Sequence, residues 1–135
     1  MAINPDNVQT PQGWEGSVPE WITYQALEKT GLKAGYDFTY QSPLLGGRIQ
    51  KGGVVIDFDF TNPPHLSINV QGVYFHYEFG VETRARDEMI RAQLASFGDT
   101  LIFVDEDDLL EDADYYVREA LRYRDHSRLG TGGYR

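Results

Sequence analysis

The chain has no cysteine. That excludes a disulfide framework, a thiolate zinc site and a cysteine nucleophile, and it fits a reducing compartment. Basic residues are scarce, with 12 Lys and Arg against 21 Asp and Glu and a net charge of -9. So acidic a chain runs against the broad basic surface by which proteins usually hold nucleic acid, although local basic patches remain open. Long apolar runs are lacking too, and none approaches the length that crosses a bilayer. The opening Met1-Ala2-Ile3-Asn4-Pro5-Asp6 has no basic stretch leading into an apolar run, so no secretory signal is expected. A soluble, cytoplasmic protein without membrane contact is the expectation. What the chain does have is aromatic character, with 9 Tyr and 7 Phe. Its 135 residues suffice for one domain with a core that stands without staples.

The charge is uneven. Seven acids fall between Asp105 and Asp114, while Arg118, Arg122, Arg124, Arg128 and Arg135 follow them. The acidic block reads as a solvated loop running into the first turn of a helix, where the helix dipole favours acids.

Residues 1–18, with Pro5, Pro11, Gly13 and Gly16, read as an irregular N-terminal arm that Trp14 anchors. Ser17-Val18-Pro19-Glu20 is a capping box with proline in the first turn, and it predicts a helix as far as Gly31. Tyr36 to Gln41 alternates as a strand until Ser42-Pro43 breaks it. Val54 to Phe60 alternates again, with Val54, Ile56, Phe58 and Phe60 on one face and Val55, Asp57 and Asp59 on the other. Leu66, Ile68 and Val70 share one face of the next strand, and Asn69 and Gln71 share its opposite face. Val81 to Phe97 predicts a helix capped by Gly98, and Thr100 to Val104 is a short interior strand. A last helix is expected from Asp114 to Arg124, with Tyr116, Val117, Ala120 and Leu121 inward. Residues 126–135 read as a flexible, Gly-rich C-terminal tail. The order of helix, three strands, helix, strand and helix predicts one α/β domain over 19–125, with a mixed sheet and helices on its faces.

The segment from Gly46 to Tyr77, GGRIQKGGVVIDFDFTNPPHLSINVQGVYFHY, carries the chemistry. An acid inside a β-branched strand is costly unless something pairs with it, and a metal ion is a common partner. If the two strands pair antiparallel with polar faces aligned, Asp57, Asp59, Asn69 and Gln71 converge, with His76 just beyond. Arg48 and Lys51 flank them.

These residues and their order resemble the PD-(D/E)XK, or restriction-endonuclease-like, superfamily. Within it the chain looks most like the very-short-patch repair endonucleases, over roughly Pro19 to Tyr123. Glu20 resembles the acid of that family's first helix, and Val54-Val55-Ile56-Asp57-Phe58 resembles its metal-binding strand. Val70-Gln71-Gly72-Val73-Tyr74-Phe75-His76 is similar to the repair enzymes' signature ending in histidine, and Arg86-Asp87 is similar to the start of their following helix. The family places an acid and a lysine where Asn69 and Gln71 stand here, and its zinc-binding cysteines are absent.

The resemblance implies a Mg²⁺- or Mn²⁺-dependent DNA endonuclease that nicks DNA or selects its structure. Asp57, Glu20 and Asp59 would be metal ligands, with the main-chain carbonyl near Val70 beside them. His76 would be the general base, since its ordinary pKa lies near neutrality. Gln71 would orient water or phosphate, and Arg48, Lys51 and Asn69 would bind substrate. Each residue also has an ordinary reading: Asp57 paired with an arginine such as Arg48, Asp59 at a solvated strand end, Glu20 as a capping acid, His76 as a hydrogen-bonded histidine. The small size suggests action with a partner or as a homodimer, and the resemblance implies a phage protein complex in DNA processing or packaging, in the host cytoplasm or the virion. The rival expectation is a nuclease-like fold without activity, serving as a structural or adaptor protein in a virion.

Overall fold

The protein is described here from a computed structural model covering residues 2–14, 16–40, 49–51, 54–72, 81–96 and 98–128, with backbone alone for 49–51, 54–55 and 81–87. The capping box forms as read. Ser17 Oγ accepts the Glu20 N–H at 3.2 Å, and Glu20 Oε1 accepts the Ser17 N–H at 2.9 Å. Two otherwise orphaned donors are thereby satisfied, and helix α1 runs over Val18–Lys29. It ends before Gly31, whose φ of 94° suits only a residue without a Cβ.

The strands are β1 (Phe38–Tyr40), β2 (Ile49–Lys51), β3 (Val54–Ile56), β4 (Phe58–Phe60), β5 (Leu66–Gln71) and β6 (Thr100–Asp105). Helix α2 spans Val81–Ser96 and α3 spans Glu106–Leu121. The main sheet has the order β1-β4-β5-β6, and β2 and β3 form a separate antiparallel pair. The pairs β1–β4 and β4–β5 are antiparallel, while β5–β6 is parallel, joined through α2. The architecture is a single α/β domain with a mixed sheet and helices on both faces, as expected.

The two sides of the sheet carry separate cores. On one side α1 and α3 cover Phe38, Phe58, Phe60, Leu66, Ile68, Ile102 and Val104. On the other side Leu94 of α2 meets Ile56, Leu101 and Phe103, with Ile90 beside them. Strand β6 feeds both cores by strict alternation, as the apolar run from Thr100 to Val104 predicted. Each fully buried Phe, Leu or Ile contributes about 1.5–3 kcal/mol through burial. The working face of α2 is that of Ile90 and Leu94; Met89 is 72% exposed.

Two expectations are corrected by the packing. Ile56 does not share a face with Phe58 and Phe60. It belongs to the α2-side core and they belong to the other, because the chain reverses its facing at Asp57, between β3 and β4. The acidic block is not a loop. It is the first half of α3, and the stripe Leu109, Ala113, Val117 and Ala120 is buried along its length. At Asp112, with φ -158° and ψ 83°, the helix is interrupted. Asp112 Oδ1 accepts the Tyr115 N–H at 3.1 Å and so caps the second half from within. The Leu110 carbonyl, two residues before this kink, accepts the Ile3 N–H from the N-terminal arm.

That arm is held at its other end by aromatic rings. Trp14 stacks on Tyr40 with centroids 4.7 Å apart and meets Trp21 edge-on at 4.9 Å. Beyond α3, the chain folds back along β6. Asp125 Oδ2 accepts the Phe103 N–H at 2.9 Å, and Asp105 Oδ2 accepts the Arg128 N–H at 3.1 Å. The first bond satisfies a donor on the outer edge of β6, and the second ties the returning segment to the end of that strand. His126, Ser127 and Arg128, expected to belong to a flexible tail, are therefore in contact with the domain, and 129–135 lie outside the described residues.

Candidate functional site

Asp57 sits where the sheet ladder breaks. The β4–β5 register pairs Phe58 with Ile68 and Asp59 with Ser67, so Asp57 comes next to Asn69. Side chains replace the main-chain ladder there. Asp57 N–H donates to Asn69 Oδ1 at 2.8 Å, and Val70 N–H donates to Asp57 Oδ2 at 2.9 Å. The two residues thus satisfy donors that β3 leaves behind as it turns away to pair with β2. Asn69, expected to contact substrate, positions Asp57.

The Asp57 carboxylate lines a cavity of about 340 Å³ together with Glu20, Glu106, Val70 and Gly72. The cavity lies where the N-termini of α1 and α3 meet the C-terminal end of β5. Both helices have acids in their first turns, where the dipole favours them. Three carboxylates around one concavity create a field that draws cations. Open α/β sheets commonly bind ligands at the carboxyl ends of their strands. Glu106 was not among the residues singled out from sequence. Its signal was its place, one residue after the apolar strand β6.

The other expected site residues scatter. Asp59 accepts from Ser67 Oγ at 3.2 Å. Ser67 is paired with Leu101, which belongs to the α2-side core, so Asp59 and Asp57 face opposite sides of the sheet. Gln71 is 1% exposed and lies opposite Asp105 in the β5–β6 register. Glu20 keeps its capping bond to Ser17 while lining the cavity. Arg48 and His76 lie outside the described residues, as does the side chain of Lys51.

Among the described residues, the three acids whose oxygens all lie within 4.8 Å of one another are Asp105, Asp107 and Asp108. A guanidinium already serves that cluster. Arg128 Nη1 lies 3.1 Å from Asp105 Oδ2, and Nη2 lies 2.8 Å from Asp107 Oδ2. Glu20, Asp57 and Glu106 are more widely spread. All three offer oxygen, the donor a hard cation prefers, and Mg²⁺ retains several waters and takes only one or two carboxylates directly. The lining of the Asp57 cavity thus offers oxygen donors of the kind a hard divalent cation takes.

One further ionic group shapes the region below β6. Glu119, 6% exposed, faces His126 Nε2 at 3.0 Å and Arg124 Nη1 at 3.1 Å. The hydrogen bond from His126, reinforced by Arg124 and opposed by desolvation, holds the Glu119 carboxyl below its usual range.

Comparison of the chain with known proteins finds no matching family model, no matching curated protein and no matching solved structure. No helix among the described residues is long and apolar enough to cross a membrane.

Proposed function

We propose that the protein is a metal-dependent DNA endonuclease of the restriction-endonuclease-like kind. The observation that carries this reading is the cavity shared by Asp57, Glu20 and Glu106 at the strand ends. The order of α1, three antiparallel strands, α2 and a parallel strand supports it, because it is the order that the sequence resemblance implies.

Phosphodiester hydrolysis requires an activated water, neutralisation of charge on the pentavalent transition state and protonation of the leaving oxygen. A bound Mg²⁺ or Mn²⁺ supplies Lewis acidity and lowers the pKa of its water. Asp57 and Glu106 would hold the cation, and Glu20 beside them would orient a water. The Val70 N–H holds the Asp57 carboxylate and Asn69 holds the Asp57 main chain, so that the geometry is set before substrate arrives. His76 accepts the proton of the attacking water, while Arg48 and Lys51 receive the scissile phosphate. The substrate is DNA, and the small domain works as a homodimer or within a phage protein complex in the host cytoplasm or virion.

A second reading is favoured by one specific observation. Asp57 already has a structural task in the ladder, and amides replace the family's acid and lysine at Asn69 and Gln71. On that reading the fold has no activity and serves as an adaptor or structural protein. Incubating supercoiled plasmid with the protein in Mg²⁺, in Mn²⁺ and in EDTA separates the two. Relaxed circles that form with metal alone support the nuclease; intact plasmid in all three conditions supports the adaptor.

A further inference from the structure

Six basic side chains among the described residues fall into two groups. Arg91, Arg124 and Arg128 hold carboxylates at 3.2 Å or closer and tie the C-terminal segment to the domain. Lys29, Arg118 and Arg122 are not so engaged. Lys29 Nζ is 3.9 Å from Asp114, and Arg122 Nη1 is 3.9 Å from Glu119. Both pairs lie at the outer limit of an ion pair, the first between two exposed groups and the second between an exposed guanidinium and the buried Glu119 that Arg124 and His126 already hold, so a stronger anion recruits these cations at little cost. Arg118 is exposed and forms no ion pair among the described residues. These three cations line one cleft of about 410 Å³ with Ala26, Asp114 and Leu121. That is space for roughly a dozen waters, enough to seat a phosphate group and its attached sugars. A basic residue in the last turn of a helix complements its dipole, which accounts for Lys29 on α1 and Arg118 on α3 separately. It does not account for cations of two helices facing one another across a concavity.

We propose that this cleft binds phosphate groups and, resting on the nuclease reading above, that they belong to the DNA backbone beside the cut. Helices α1 and α3 run side by side in the same direction. Their N-termini meet at the Asp57 cavity, through Glu20 and Glu106, and their C-termini meet at the cleft. The rise along α1 from Glu20 to Lys29 is about 14 Å at 1.5 Å per residue. On duplex DNA that corresponds to about four base pairs. The acidic end faces the reacting phosphate through a cation, and the basic end grips the strand a few base pairs away. Such an arrangement gives an acidic protein a local DNA contact without a basic surface.

The test uses the full chain in EDTA and a short fluorescent duplex, read by anisotropy over a series of salt concentrations. Arg118→Ala/Arg122→Ala is expected to weaken binding about 10-fold at low salt and to reduce the salt slope by about 2, one for each lost phosphate contact. Arg118→Lys/Arg122→Lys is expected to retain both. Both arginines are exposed, and thermal unfolding of the variants checks that they fold. A parallel titration with inorganic phosphate, followed by NMR shifts near Lys29 and Arg118, distinguishes sources. Loss of phosphate shifts in the alanine variant with unchanged duplex binding assigns the cleft to a small phosphorylated ligand and overturns the DNA contact. Wild-type affinity and slope in the alanine variant, with phosphate shifts unchanged, overturn the cleft altogether. Duplex binding that depends on the arginines in a protein that cuts nothing sustains the cleft and removes the nuclease.

Discussion

The Asp57 N–H donates to Asn69 Oδ1 at 2.8 Å while the neighbouring Val70 N–H donates to the Asp57 carboxylate at 2.9 Å. Side chains thus complete a ladder that the backbone abandons, and the same act fixes the carboxylate at the cavity wall. Replacing Asn69 by alanine leaves the partly buried Asp57 donor unsatisfied. The expected cost is about 1–3 kcal/mol, measured as a lower urea midpoint with an unchanged slope. An unchanged midpoint would show that Asn69 does not hold the break.

Asp125 closes the β6 edge. Its carboxylate takes the Phe103 N–H at 2.9 Å, the Ser127 N–H at 2.9 Å and Arg91 at 3.2 Å. Asp125→Ala is expected to destabilise the protein by about 2–3 kcal/mol, since it also leaves Arg91 without this partner. The opened edge is expected to favour self-association. Urea unfolding and sedimentation velocity read the two effects, and a variant as stable and as monodisperse as the wild type contradicts the role given to Asp125.

Glu119 sets an acid-side limit to stability. Its carboxyl is held below its usual range by the His126 hydrogen bond and by Arg124. A lowered folded-state pKa means that the unfolded chain binds the proton more readily. The contribution is therefore complete above the ordinary glutamate range and is lost as pH falls through the folded value. Glu119→Gln is expected to melt at a lower temperature near neutrality and to converge on the wild type as the pH drops. Melting curves from pH 7 to pH 3 check this. A constant difference between the two proteins over that range contradicts it.

These particulars show where the fold was legible from sequence. The capping box at Ser17 and Glu20 was readable because both partners are local, and β6 because an unbroken apolar run between turn residues has few other solutions. The Asp57 reversal was not readable. Strict alternation from Val54 to Phe60 looks like one strand, and only the competition of β2 and β5 for the same chain divides it. The acids before Asp114 concealed a helix because their charge outweighs the quieter stripe of Leu109, Ala113 and Val117. Asp112 nevertheless does cap a helix, which is why a start near Asp114 was visible at all. Of the site, Asp57 and Glu20 share a cavity. Glu106 escaped notice because its closeness to them arises from the parallel packing of α1 and α3, a relation that no local pattern encodes. Asp59 and Gln71 were drawn toward Asp57 by an alternation that the break removes.

The central claim is that the Asp57 cavity cleaves DNA with a bound divalent cation. The direct measurement is the single-turnover nicking rate on plasmid in Mg²⁺ or Mn²⁺ for the wild type, Asp57→Asn and Glu106→Gln. Asparagine still accepts the Val70 N–H, so the fold persists while a charged ligand is removed. The account predicts metal-dependent nicking by the wild type and a loss of at least about 100-fold in each variant, in keeping with removal of a charge-stabilising group. A wild type that does not nick, or variants that nick at its rate, would contradict it.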